Sequence, residues 1–129
     1  MLKITINADC GNAPKKLLLR DLNIAFARAD VEGILDKFSD DIRWQIIGGA
    51  DLRGKAAARA ALEAMKNAVA TALLVHSIIT HGREGAVNGV ITMERGGSVA
   101  YCDVCQFASA AGKKIKSMKS YAVEIIMED

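Results

Sequence analysis

The spacing of apolar positions changes period several times along the chain. In "LKITIN", Leu2, Ile4 and Ile6 alternate with Lys3, Thr5 and Asn7, the rhythm of a short strand. "ADCGN" breaks that rhythm, and Pro14 then suits the first turn of a helix. Leu18, Leu22, Ala25, Phe26 and Ala29 recur at helical spacing and predict a helix over Pro14–Ala29. Asp30 is a fitting N-cap for a second, short helix with the stripe Val31, Ile34, Leu35 and Phe38. Alternation returns in "DDIRWQII", where Ile42, Trp44 and Ile46 share one face and Arg43, Gln45 and Ile47 the other. "GGADLRG" is a turn with room for a two-residue strand. "KAAARAALEAMKNA" is built of strong helix formers and predicts a third helix.

Beyond that helix the chain turns to β-type runs: "TALLVHSIIT", "AVNGVITME", "SVAYCDVCQFAS" and "KIKSMKSYAVEII". The breaks between them, "HGREG", "RGGS" and "AAGKK", contain glycine and have hairpin length. The second half is therefore an antiparallel meander. Helices gathered on one side of such a sheet make an α+β domain. A strongly curved sheet would wrap the long helix and leave a closed-ended cavity. With 129 residues the chain fits a single domain over 1–129, in which 1–12 form an N-terminal extension whose strand serves as an extra edge or as a dimer contact.

Composition narrows the function classes. Apolar residues make up 51% and charged residues 25%, the balance of a globular chain and not of a disordered one. A net charge of +2 and six Phe, Trp and Tyr residues argue against a nucleic-acid partner. The longest apolar run, "AVATALLV", is too short to span a bilayer, so no membrane partner is expected. "MLKITINADCGN" lacks the features of a secretion signal, and three cysteines suit a reducing compartment. Both features predict a cytoplasmic protein.

Cys102 and Cys105 form a Cys-x-x-Cys. On a strand, residues three apart face opposite ways, so the two thiols cannot share a metal. His76 and His81 are separated by five positions on another strand and do not converge either. Neither a metal nor another cofactor is expected. Lys113, Lys114, Lys116 and Lys119 surround a hairpin turn and read as a solvated surface. Cys102, Val104, Gln106 and Tyr121 share an outer sheet face that is apolar for a solvent surface, which predicts a homodimer through that face. Asp103 differs from its neighbours. It is an acid in apolar company, on one face with Tyr101 and Cys105.

The order of elements resembles the nuclear transport factor 2-like superfamily, which includes ketosteroid isomerases and SnoaL-like polyketide cyclases. "ARADVEGILDKFSDDIRW", "LRGKAAARAAL" and "DVCQFASAAGKKIKSMKSY" carry the resemblance, which covers Pro14 to Ile125. It implies a cone-shaped, cystatin-like α+β barrel: a curved antiparallel sheet around three helices from the N-terminal half. It also implies a pocket lined by Leu22, Trp44, Ile46, Tyr101, Asp103, Met118 and Ser120. The proton-accepting aspartate of a ketosteroid isomerase falls at Ile46, and its oxyanion-hole tyrosine at Leu22; neither can do that work. Its oxyanion-hole aspartic acid falls at Asp103. The histidine and aspartate of polyketide cyclases fall near Met118 and Ser120, and are absent. The expected function is binding of a small, mainly apolar, carbonyl-containing molecule in a closed pocket. Any chemistry would be proton transfer of the isomerase, cyclase or lyase kind, with Asp103 as catalytic acid or hydrogen-bond donor. The alternative is a non-catalytic dimeric binding or assembly domain that has lost the family's base.

Overall fold

In the computed structural model, which describes residues 1–125, the elements follow the order β1 (Lys3–Ile6), α1 (Pro14–Ala27), α2 (Val31–Asp36), β2 (Phe38–Ile46), β3 (Asp51–Arg53), α3 (Lys55–Met65), β4 (Ala70–His81), β5 (Glu84–Met93), β6 (Ser98–Phe107) and β7 (Ile115–Ile125). Ile126, assigned to the last strand from its pattern, lies outside the described residues.

Local chemistry sets the helix limits. Pro14 opens α1, where its missing N–H costs nothing. The helix ends two residues earlier than its apolar spacing predicts. Ala29 takes a left-handed φ of 53°, while its N–H donates to the Phe26 carbonyl and the Asp30 N–H to the Ala25 carbonyl. That pair of bonds is a Schellman cap with alanine where glycine is usual. The Asp30 carboxylate then accepts from the Gly33 N–H at 3.0 Å and starts α2.

The strands form one seven-stranded sheet in the order β1-β4-β5-β6-β7-β2-β3 among the described residues. β4 to β7 are the predicted antiparallel meander, and β2–β3 is a further antiparallel pair. The joins β1–β4 and β2–β7 are parallel, so the sheet is mixed. β1 is the extra edge strand expected of the N-terminal extension, with Lys3 opposite Ala72 and Ile6 opposite Val75. The curved, unclosed sheet packs α1 against β4 and β5 and α3 against β2. Among the described residues no helix is long and apolar enough to cross a membrane.

The core sits between α1, α2 and the inner face of the sheet. Leu19, Leu22, Ile34, Phe38, Phe107, Ile115 and Met118 are almost wholly buried there. Interdigitation of this kind leaves few voids. It stops partway along the sheet.

Candidate functional site

Beyond the packed core, the inner face of the sheet encloses a cavity of about 310 Å³. Its size falls at the lower end of small-molecule sites. β6 contributes Val99, Tyr101 and Asp103 at period two, and their register partners on β7 include Ala122 and Ser120. β2 brings Trp44 and Ile46 beside Met118 and Ser120 through the parallel join. α1 closes the opposite side with Asn23 and Phe26. Trp44 is held by Phe26 edge-on at 5.5 Å and by Phe38 at 6.1 Å. Met65 belongs to the wall and is 45% exposed, so the cavity is sealed by the core at one end and opens to solvent at the other. The closed pocket expected from the sequence is thus closed at one end, because α3 stops at Met65 and that side chain is left uncovered.

Among the described residues the buried polar or charged side chains are Asn23 and Asp103, and both line this cavity. Both ends of the Asn23 amide are engaged locally. Its Nδ2 donates to the Leu19 carbonyl at 2.8 Å, and its Oδ1 accepts the Tyr101 hydroxyl proton. Tyr101 reaches it by lying over Gly89, its register partner on β5. A Cβ on Gly89 would stand 2.9 Å from the Tyr101 hydroxyl and 2.1 Å from the Leu74 carbonyl oxygen, so this close approach needs glycine. The indole N–H of Trp44 donates to the Ser120 hydroxyl at 2.9 Å.

Burial pushes the Asp103 carboxyl up to about 6, against the opposing pull of the Ser120 hydroxyl opposite it on β7. Burial, followed by the Asp103 charge, also raises Tyr101 and Cys105 well above their ordinary values. The phenol and thiol therefore stay protonated near neutrality, and Asp103 is the group that changes charge there.

The profile of the SnoaL-like domain matches residues 19–118. The chain belongs to the SnoaL-like family. Its fold is shared with a nuclear transport factor 2-like protein of unknown function from Cytophaga hutchinsonii, at 25% identity and TM-score 0.64 over 84% of this chain and 99% of that one. A second protein of that kind, from Burkholderia xenovorans, is similar at 16% identity and TM-score 0.74, covering 94% and 91%. An LEH-like epoxide hydrolase from M. tuberculosis is similar at 15% identity and TM-score 0.70, covering 84% and 82%. No curated protein matches the sequence.

In this SnoaL-like domain, Trp44, Ile46, Tyr101, Asp103 and Ser120 stand together on the cavity wall. Leu22 and Met118, also expected there, do not. Leu22 is wholly buried in the core and Met118 lies opposite Cys105 in register, one step deeper into the packed end than Ser120. The residue that α1 does present is Asn23, one position on from Leu22. A polar side chain four residues after Leu19 and three before Phe26, inside an apolar stripe, was the available signal. Cys102 and Cys105 fall on opposite faces of β6, half-buried and buried. His76 and His81 are exposed. Lys114 reaches back to the Asp36 carbonyl, and the other hairpin lysines are exposed.

Proposed function

We propose that this SnoaL-like domain binds a small, mainly apolar molecule with a carbonyl group, and that Asp103 performs cofactor-independent proton transfer on it. The observation that carries this reading is a buried carboxyl on an apolar cavity wall, with burial raising its pKa to about 6. A group that titrates near neutrality can donate and accept protons at working pH. The hydrogen bonds agree. The Tyr101 proton goes to Asn23 and the Trp44 N–H to Ser120, which leaves protonated Asp103 as a donor for a ligand oxygen. Among the described residues Asp103 is the one carboxyl on this wall. Proton transfer here would then use a single group that takes a proton and returns it, in the manner of an isomerase, cyclase or lyase. Once a substrate is in hand, Asp103→Asn should abolish turnover; unchanged activity would sink the acid role.

Ile46 favours a second reading, a non-catalytic binding or assembly domain, because an aliphatic side chain stands where the family resemblance puts a base. Under either reading we expect a cytoplasmic homodimer joined through the outer sheet face. Ile79, Val104, Tyr121 and Val123 are exposed, and Val104 and Tyr121 lie on that face. Native mass spectrometry of gently purified protein tests both points together. A co-purified small molecule supports the first reading, and a mass of one chain removes the dimer.

A further inference from the structure

We infer that the cavity is the head end of a longer site, and that a second cavity beyond Phe26 and Met65 accepts an unbranched alkyl tail of the same ligand. This rests on reading the first cavity as a small-molecule site.

The second cavity, about 170 Å³, lies among α1, α2, α3 and the end of β5. Phe26 and Met65 stand on the walls of both cavities. Strand register puts the two in line. Gly89 and Ile91 on β5 oppose Tyr101 and Val99 on β6, and Met93 follows on the same face. Ile91 lines the first cavity and Met93 the second. From the level of Asp103, whose register partner is Val87, to Met93 the strand runs roughly 20 Å.

Asp103, Tyr101 and Asn23 stand at the start of this line, Ile91 and Val99 in the middle, and Ile34, Leu62 and Met93 at the far end, where the charged side chain on the wall, Lys66, is exposed and paired with Glu63. A ligand matching that arrangement has one polar head and a hydrocarbon tail. The partition is able to yield. Met65 is the last residue of α3, exposed at its tip, with an unbranched side chain that adapts to irregular space. Phe26 is half-buried. Ala29 and Ala68 leave the room beyond them.

Methyl ketones from 2-pentanone to 2-undecanone, titrated into protein labelled at nitrogen and at methionine methyls, test the inference. The chain has one tryptophan, so the Trp44 indole N–H is a single reporter of the first cavity. The Met93 methyl reports the second. Every homologue should shift the Trp44 signal, and only the longer ones the Met93 signal. Affinity should rise about four-fold per added methylene across the series. Ala68→Leu, at an exposed position on the second cavity, should weaken 2-undecanone by ~10-fold and leave 2-pentanone unchanged. If Trp44 responds while affinity stops rising with length and Met93 stays silent, the long site is overturned and the first cavity's reading stands. If no ketone moves Trp44, that reading falls and the long site falls with it.

Discussion

The inner face of the sheet has two ends made from the same strands, and they behave differently. At one end, Cys105 and Met118 oppose each other between β6 and β7, almost wholly buried in the core cluster that also holds Leu19 and Phe107. Two register steps away, Tyr101 and Ala122 oppose each other beside open space. Asp103 and Ser120 are the step between. The packed end withdraws water from the Asp103 carboxyl, and the hollow end leaves it on the wall of the cavity. Either end alone would be unremarkable: a carboxyl in a filled core has nothing to act on, and one facing only solvent keeps its ordinary pKa. The boundary makes the acid unusual.

The largest effect should come from loosening the packed end. Met118→Ala removes a side chain from a filled region, and should cost about 2–5 kcal/mol of stability. Ile46→Ala, on the cavity wall and only half-buried, should cost about 1 kcal/mol, since the space beside it is already open. Urea unfolding of both variants checks the contrast. Equal losses would mean that the two ends are packed alike.

Asp103→Asn should come next, and its sign depends on pH. The folded carboxyl titrates at about 6 against an ordinary value of 3.8, so burial penalises its charged form. Stability is complete below pH 3.8, falls as pH rises through 6, and is lower by about 3 kcal/mol above that. The amide cannot ionise. The variant should match the wild-type stability near pH 3 and exceed it by up to about 3 kcal/mol at pH 8. A stability gap that does not change with pH would show that the carboxyl is not desolvated as described. A more stable but inactive variant is the outcome expected where a strained charge serves function.

This contrast also explains which features could be read from the sequence. Period two groups the residues that share a face of β2 and of β6, because the pleat dictates them, and the family resemblance supplies which face turns inward. Trp44, Ile46, Tyr101, Asp103 and Ser120 follow from that periodicity together with the family resemblance. Depth along a strand is a different matter. Met118 and Ser120 share a face, and only the way α1 seats Leu19 and Leu22 decides that one is core and the other wall. The same limit hid Asn23, since one position along a helix turns the side chain by about 100°. The parallel seats of β1 on β4 and β2 on β7 are long-range pairings that no local pattern encodes. The end of α1 was misread because alanine occupies a left-handed position normally marked by glycine.

The smallest effect tests the boundary itself. The Ser120 hydroxyl accepts from the Trp44 indole at 2.9 Å and also counters the rise in the Asp103 pKa. Ser120→Ala removes both interactions with little change in volume. Leaving the indole N–H without its partner should cost about 1 kcal/mol at any pH. The Asp103 carboxyl, having lost the neighbour that favours its charged form, should titrate above its present value. A higher folded pKa deepens the penalty on the alkaline side. The variant should therefore lose more stability at pH 8 than at pH 4. A carboxyl-carbon NMR titration gives the direction, and the Trp44 indole signal reports whether its hydrogen bond has gone. If the indole moves but the carboxyl does not, Ser120 serves only the tryptophan, and desolvation by the packed end alone sets the acid.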